Sequence, residues 1–311
     1  MSMGATRNHK FAFITMIILI IVTIANYKCL FSGANINKYV TSDALSITPI
    51  KQTGQHVFSQ KGTSIFLGHQ KDDGQKLMNA LYKENLEERF TLVQQLLSEG
   101  ADPNCPTLEH HEYVLIAAAS SGSKDTQYKS YSLVKIFLDK GANPNVVDSY
   151  QRSALWWAAS VGDIKSAALL LAHGAKVDAE DSEGVTPLTE AAHIGHDDVI
   201  GLLLKHGASI DKNRGAALIA ASKNGSLSTV KLLLRSGANI HINDWNGHYN
   251  ALLCASGMGR TKVVMYLIKH GANVNVKDED GNTALSAAAN MGFQDIVTLL
   301  KKAGVNRHLR N

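Results

Sequence analysis

Apolar residues recur with a helical period over most of the chain, in pairs of short segments that glycine and polar residues separate. The clearest pair lies between Glu180 and Asp211. Leu188, Ala191 and Ala192 form the apolar face of the first segment. The second has an apolar stripe at helical spacing, formed by Val199, Ile200, Leu203 and Leu204. The pattern predicts a turn, a short helix, a tight loop and a second helix. Because two helices this short cannot bury their apolar faces against each other alone, the unit needs copies of itself.

Local signals mark where each helix of this unit begins and ends. Thr186 is a typical N-cap residue, and Pro187 follows at the first helical position, where its missing N–H is not needed. Gly195 and Gly207 stand where the two helices end, since glycine readily adopts the left-handed conformation of a helix stop. The unit is therefore complete in about 32 residues, close to the period of known helical repeats.

Copies of the unit are aligned by the glycine that ends each second helix. These glycines are Gly100, Gly141, Gly174, Gly207, Gly237, Gly271 and Gly304, and the intervals between them are 41, 33, 33, 30, 34 and 33 residues. Alanine follows six of the seven, and leucine or phenylalanine stands four positions before each. The register predicts seven stacked helix pairs, with each glycine ending its second helix.

The chain resembles the ankyrin repeat family in Thr186-Pro187-Leu188, in Gly195-His196, in Gly207-Ala208 and in Asp278–Leu285. The resemblance covers residues 74–308, with repeats ending near residues 104, 145, 178, 211, 241, 275 and 308. It implies an all-α fold, an ankyrin-repeat solenoid of helix-turn-helix units with short β-turn fingers.

Three repeats depart from the regular pattern. The first has Glu84 in place of the loop glycine and four extra residues before Gly100. The second has a seven-residue insertion within Ser121–Ser132, between its helices. The fifth is three residues short before Leu218, so we expect its finger to be stunted.

An apolar segment precedes the array. Phe11–Ala25 is fifteen residues without a charge, and Arg7 and Lys10 come before it, so residues 1–31 are predicted to be a signal peptide or a membrane anchor. Small residues at 23–25 and 32–34 favour cleavage, whereas the strong isoleucine and leucine core favours retention. A buried N-terminal helix of a cytosolic protein is a third interpretation.

The basic residues before the apolar core predict a cytoplasmic N-terminus in a single-pass membrane protein, with the repeats on the far side. Secretion or a periplasmic location after cleavage is the alternative. Residues 32–73 are predicted to be a polar spacer, in which His56–Phe58 and Ile65–Leu67 could form one weak hairpin.

Composition excludes several classes of protein. The chain has 311 residues, a net charge of +4 and no run of five or six lysines or arginines, so we expect no nucleic-acid partner and membrane contact only through the N-terminal segment. Cys29, Cys105 and Cys254 are too few for a disulfide framework. If the repeat register holds, Cys105 and Cys254 lie about four repeats apart, too far for a bridge.

Known catalytic motifs are missing from the sequence, which contains no G-x-S-x-G, P-loop, H-E-x-x-H or EF-hand pattern. We therefore expect a protein that is not an enzyme and that has no cofactor and no metal site. His173, His206 and His270 each precede a stop glycine, where they can satisfy the last carbonyls of a helix. His110-His111-Glu112 is interpreted as a solvated turn.

Aromatic residues give the candidate protein-binding positions. Trp157 stands at the position that Glu190 occupies in the next repeat, and the ankyrin resemblance implies that this position faces the concave surface, whereas the slot of Trp156 is buried. The candidate residues are Tyr150, Trp157, Glu190, Trp245, His248 and Tyr249, and they include the predicted finger tips of repeats three and six. Such aromatics either pack on a neighbouring finger for stability or anchor a partner.

The function predicted from the sequence is protein–protein interaction through the concave face and finger tips of a monomeric array. The alternatives are a structural spacer of the envelope or cell surface and a non-catalytic accessory to an exported enzyme.

Overall fold

The computed structural model describes residues 57–60, 63–66, 72–107, 112–121, 127–243 and 249–308. The predicted signal or anchor at residues 1–31 lies outside these ranges. Within them, the helices are all too short or too polar to span a bilayer.

A short hairpin forms within the predicted spacer. Strands β1 (Val57–Gln60) and β2 (Thr63–Phe66) pair antiparallel, with Val57 opposite Phe66. The expected hairpin is therefore present, and the fold adds this one strand pair to an otherwise helical architecture in the described ranges.

Fourteen helices follow in the described residues, two to each repeat. Their bounds are α1 Asp73–Leu81, α2 Leu86–Ser98, α3 Val114–Ser120, α4 Gln127–Asp139, α5 Ala154–Val161, α6 Ile164–Ala172, α7 Pro187–Ile194, α8 Asp197–Lys205, α9 Lys212–Asn224, α10 Leu227–Arg235, α11 Ala251–Gly257, α12 Thr261–Lys269, α13 Ala284–Asn290 and α14 Gln294–His308.

The helices stack in two layers. Each odd-numbered helix packs against the odd-numbered helices of the neighbouring repeats, and from α4 onward each even-numbered helix packs against its even-numbered neighbours. Leu188 and Ala192 of α7, and Ile200 and Leu203 of α8, are at most 1% exposed. The core is therefore a continuous strip between the layers, and each repeat completes the core of the next.

The glycine register has a local cause at the end of each second helix. Gly174 and Gly207 have φ angles of +87° and +85°. The amide of the following alanine then donates to the carbonyl four residues before the glycine, as Ala175 does to Leu170 at 2.9 Å and Ala208 to Leu203 at 3.0 Å. The leucine, the glycine and the alanine thus belong to one helix stop, which explains why they recur together.

The prediction that Gly304 ends the last helix is wrong. Gly304 lies inside α14, which continues to His308. Valine 305 follows this glycine, where the other repeats have alanine. The alanines of the other stops are buried, as at Ala208 and Ala272, which are 8% and 2% exposed, or half-buried, as at Ala101 and Ala175. The leucine, glycine and alanine of the regular stop are thus not all present at this position, and the helix continues past Gly304.

The irregular first two repeats have longer second helices. Helices α2 and α4 each have 13 residues, whereas α6, α8, α10 and α12 have 9. Four of the residues inserted in each repeat therefore add about one helical turn. The hydroxyl of Ser130 in α4 donates to the carbonyl of Ala118 in α3 at 2.8 Å, which fixes the longer helix against its partner.

The fifth repeat has a tight turn where other repeats have a finger, in agreement with the stunted finger that its shorter sequence predicted. Isolated β-bridges close the fingers of repeats three, six and seven, at Val147–Ser153, Asn243–Asn250 and Lys277–Thr283. At the start of α9, three successive residues instead adopt left-handed conformations, with φ angles of 52° at Asn213, 54° at Arg214 and 72° at Gly215. This tight turn replaces the finger.

A ladder of polar side chains ties the turns of successive repeats together. Four residues after the stop glycine, a side-chain oxygen accepts from a backbone amide of the next repeat. In each pair that follows, the side chain of the first residue accepts from the backbone amide of the second. The pairs are Asn104 and Asn143 at 2.7 Å, Asn145 and Lys176 at 2.8 Å, Asp178 and Ser209 at 3.1 Å, and Asp211 and Asn239 at 3.1 Å. The corresponding residue in the next repeat is His241, and among the described residues no such bond joins it to Asn273. The ladder therefore ends at the turn of repeat five.

Candidate protein-binding surface

The finger of repeat three is organised around the carboxylate of Asp148. Its Oδ1 accepts from the amides of Tyr150 at 2.9 Å and Arg152 at 3.0 Å. Its Oδ2 accepts from Arg152 Nε at 2.9 Å and from the indole Nε1 of Trp157 at 3.1 Å. One carboxylate thus folds the finger and joins it to α5.

The next repeat shows which of these contacts are common to the fold. Asp181 accepts from the amides of Glu183 at 2.9 Å and Val185 at 2.8 Å, in the same arrangement. In repeat four the positions of Arg152 and Trp157 are held by Val185 and Glu190. The bonds of the guanidinium and the indole are therefore particular to repeat three.

The Arg152 guanidinium lies among three aromatic rings. Its Cζ is 4.3 Å from the centroid of Trp157, 4.6 Å from that of Tyr150 and 5.3 Å from that of Trp156. The side chains of Arg152 and Asp148 are 23% and 13% exposed, so their ion pair is largely shielded from water. We call these five residues, Asp148, Tyr150, Arg152, Trp156 and Trp157, the finger-three cluster.

The two tryptophans differ in exposure, as the sequence predicted. Trp156 is 8% exposed, and its Nε1 is buried without a hydrogen-bond partner in the described part of the chain. Trp157 is half-buried and meets Trp156 edge to face, with centroids 5.2 Å apart. Trp157 therefore packs on the finger of its own repeat, and part of its ring faces solvent.

Tyr150 and Glu190 extend this surface in two directions. The Tyr150 side chain is 61% exposed at the finger tip, while its carbonyl accepts from the amide of Ser182 in the next finger at 2.9 Å. Glu190 Oε1 accepts from the hydroxyl of Ser160 in the preceding repeat at 2.9 Å. This bond holds the Glu190 carboxylate across the boundary between repeats three and four.

The remaining predicted residues belong to the finger of repeat six. Tyr249 is 53% exposed and directly precedes Asn250, whose side chain caps α11. Trp245 and His248 lie outside the described residues. The bridged residues of this finger, Asn243 and Asn250, are seven positions apart, whereas those of repeats three and seven are six apart. The sixth finger is therefore one residue longer.

Sequence reasoning missed a second set of exposed apolar side chains. Ile194, Met258 and Met291 are 44%, 46% and 61% exposed, and each directly precedes the glycine that follows a first helix. We call them the pre-glycine row. Each of the three lies four positions after the residue that corresponds to Trp157 in its own repeat. Those corresponding residues are Glu190, Cys254 and Ala287. Residues four apart share one face of a helix, so the row lies on the same face as Trp157 and Glu190.

The signal for this row was available in the sequence. An apolar residue recurs at one exposed register in repeats four, six and seven, whereas repeat five has Asn224 there. No single repeat shows this, because an isolated exposed apolar residue is ordinary on a protein surface. The row becomes visible only when the repeats are stacked.

The described residues offer little reactive chemistry. Burial raises the pKa of the Cys105 thiol and, separately, the pKa of the Tyr113 hydroxyl. A raised pKa leaves less thiolate, so Cys105 is a poor nucleophile at neutral pH. Across the described ranges, no three His, Cys, Asp or Glu side chains are grouped to hold a metal ion.

Comparisons with known proteins agree with the stacked architecture. The family described as "Ankyrin repeats (3 copies)" matches residues 77–181, 125–214, 177–244 and 218–311, about three quarters of the chain in total. A crystal structure of an ankyrin repeat domain from Acinetobacter baumannii AYE is similar, with 31% sequence identity and a TM-score of 0.52. The similarity covers 61% of this chain and 97% of that one. No curated protein matches the chain.

Proposed function

Because the chain belongs to the ankyrin-repeat family, we propose that its array binds a partner protein through the concave face of its first helices and its finger tips. Ankyrin repeats generally mediate protein–protein interaction. A stacked array is rigid before it binds, so recognition on such a surface requires little additional ordering.

The pre-glycine row is the observation that carries this proposal. Its three side chains, Ile194, Met258 and Met291, are all at least 44% exposed and recur at one register of the first helices. Neighbouring helices pack about 8–10 Å apart, so Met258 and Met291 form a nearly continuous apolar strip. Exposed apolar residues that are aligned in this way are typical of binding surfaces, and methionine adapts its shape to different partners.

The finger-three cluster supplies a rigid anchor at the other end of this face. Trp157 is held by its bond to Asp148 and by its contact with Arg152, so little side-chain entropy remains to be lost on binding. Tyr150 stands exposed beside them. Tryptophan, tyrosine and arginine are the residues most enriched in binding hot spots.

Site-specific photo-cross-linking tests the proposal. A photoreactive phenylalanine analogue is placed at Met258, at Met291 and at Tyr150 in the full chain, expressed in its native host. Met265 is the matched control, because it is an equally exposed methionine, at 53%, on the second helix α12. We expect one common adduct band from the three test positions and none from Met265.

Two outcomes would count against binding at this face. Adducts from Met265 that equal those from Met258 would indicate nonspecific contact. Complete lack of adducts at every test position, with the fold intact by circular dichroism, would favour the alternative role of a structural spacer.

We also propose that residues 1–31 direct the array out of the cytoplasm or anchor it in a membrane. The support is the fifteen-residue uncharged segment Phe11–Ala25 behind Arg7 and Lys10. Membrane fractionation with N-terminal sequencing tests this. A mature chain starting near residue 26 or 35 indicates cleavage, an intact chain in the membrane fraction indicates an anchor, and an intact chain in the cytosolic fraction would contradict both.

A further inference from the structure

The second helices carry a row of basic side chains that the proposed function does not use. Two residues before the glycine position of repeats four to seven stand Lys205, Arg235, Lys269 and Lys302. All four are exposed. Because even-numbered helices α8 to α14 pack side by side, equivalent positions on them follow one another at about 8–10 Å. We call these four residues the basic ridge.

The basic ridge has few acidic neighbours. The carboxylates of helices α8 and α14 lie in their first turns, at Asp197, Asp198 and Asp295, while α10 and α12 contain no acidic residue. The ridge residues stand toward the opposite ends of the helices. Among the described residues, none of the four forms an ion pair. Positive charge is thus separated from negative charge along the length of the second helices.

Nearby carboxylates in the turns are already engaged. Asp178 accepts from the amide and hydroxyl of Ser209, and Asp211 accepts from the amide of Asn239. Both belong to the ladder, and both are half-buried. They moderate the positive potential of the ridge, and they hold the turns that position Lys205 and Arg235.

We infer that the basic ridge binds an acidic segment of a partner protein. The four charges extend over three repeat steps, roughly 30 Å, which about nine residues of an extended chain can follow. In the extended polyproline II conformation every third residue returns to the same face after about 9 Å, so a carboxylate at every third residue would meet one ridge charge after another. The occupant is therefore an acidic polypeptide laid along the stack.

Nucleic acid fits the ridge less well. Binding of single strands combines backbone charge with exposed aromatic rings on which bases stack. Tyr266 lies three residues before Lys269 on the same helix, and its ring is stacked on His270 with centroids 3.8 Å apart. Tyr266 is also half-buried, so its ring does not offer an open face of this kind.

The test uses the purified full chain and a synthetic oligoglutamate peptide of roughly twelve residues, long enough to span the ridge. One variant neutralises the ridge with Lys205→Gln, Arg235→Gln, Lys269→Gln and Lys302→Gln. The matched control removes the same charge from four exposed lysines elsewhere, with Lys76→Gln, Lys165→Gln, Lys223→Gln and Lys277→Gln. Melting curves establish that both variants fold, and glutamine is chosen because glutamate would oppose the helix dipole at the ends of α8, α10 and α12.

We expect the wild-type chain to bind the peptide in a salt-dependent manner, with affinity about tenfold lower in the ridge variant and nearly unchanged in the control. Equal losses in the two variants would overturn the inference, since the peptide would then respond only to net charge. It would also be overturned if the wild-type chain bound no peptide at low salt. Ridge-dependent binding of phosphatidylserine vesicles or of a single-stranded oligonucleotide, without peptide binding, would identify a different occupant and reject this one.

Discussion

The indole of Trp157 donates to the Oδ2 atom of Asp148 at 3.1 Å, and this bond joins the first helix of repeat three to its finger. The same oxygen accepts from Arg152 at 2.9 Å, so one carboxylate atom holds both the indole and the guanidinium. The structural and the binding interpretations of Trp157 are therefore connected, because the packing that stabilises the ring also fixes its exposed edge.

Replacing Asp148 by alanine tests the stabilising part of this arrangement. The substitution removes two backbone bonds, the indole bond and the partner of a largely shielded guanidinium. We expect a loss of about 2–3 kcal/mol in the free energy of unfolding, measured by urea denaturation of the full chain. Arrays of repeats do not always unfold in one step, so the midpoint of each transition is followed by both circular dichroism and tryptophan fluorescence.

Asp181→Ala is the control for this experiment. It removes the same two backbone bonds from the finger of repeat four, which lacks the indole and the guanidinium. We expect a smaller loss of about 1 kcal/mol. Equal losses would mean that the Trp157 and Arg152 bonds add nothing to stability.

Gln151 is strained in a way that glycine would relieve. Its φ angle is 61°, and the corresponding residues of repeats four and seven are Gly184 and Gly281, both at 79°. A residue with a side chain pays about 1–2 kcal/mol for the left-handed conformation. We therefore expect Gln151→Gly to raise the thermal midpoint of the array. Gln151→Ala keeps the steric cost of Cβ and should leave the thermal midpoint unchanged. A higher midpoint with alanine would show that the glutamine side chain, and not the backbone conformation, causes the destabilisation.

Two buried serines have no hydrogen-bond partner in the described structure. The hydroxyls of Ser222 and Ser256 are fully buried, and they occupy the register that Ala159 and Ala192 hold in repeats three and four. Because an unsatisfied hydroxyl loses its hydration without compensation, each Ser→Ala change should stabilise the chain by about 1 kcal/mol in urea denaturation.

Ser130→Ala is the comparison for these two substitutions, because we expect it to lower the free energy of unfolding. Ser130 is also fully buried, but its hydroxyl donates to Ala118 at 2.8 Å. Its removal should cost about 1 kcal/mol. If all three substitutions destabilised alike, a water molecule or a local rearrangement would have to satisfy Ser222 and Ser256.

The burial of Cys105 should slow the reaction of its thiol with alkylating reagents. Because burial raises the pKa of this thiol, less thiolate is present at any given pH than for an ordinary cysteine. We expect slow alkylation of Cys105 by iodoacetamide at pH 8.5, a rate that continues to rise with pH above the ordinary thiol pKa, and rapid alkylation in urea. Peptide mass spectrometry follows the site separately from Cys29 and Cys254. Equal rates in the native and unfolded chains would contradict the burial of this thiol.

Features with a local cause could be predicted from the sequence. The recurring leucine, glycine and alanine form one helix stop, so their spacing predicted the repeat register and most helix ends. The same reasoning failed at Gly304, where valine replaces the alanine of the stop and the helix continues to His308. The sequence there has the leucine and the glycine of the stop but not the alanine, and we predicted a helix end as if all three were present.

Features with a long-range cause could not be predicted in the same way. Asp148 and Arg152 look like ordinary turn residues until the fold brings the Trp157 indole against them. The members of the basic ridge and of the pre-glycine row are separated by 30 residues or more, so a search for charge runs or apolar runs passes over them. Stacking converts one exposed residue per repeat into a continuous surface.

The ladder that stops at His241 determines how the array should yield to mechanical force. Every earlier turn from Asn143 to Asn239 is tied by a ladder bond to the turn of the repeat before it, whereas among the described residues no such bond ties the turn of repeat six at Asn273 to repeat five. Pulled from its two ends in an optical trap, the chain would release its last two repeats first, as a step of about two repeat lengths, and the remaining repeats would hold to a higher force. A receptor pulling on a partner bound near Met291 would then be resisted less than one pulling near Trp157.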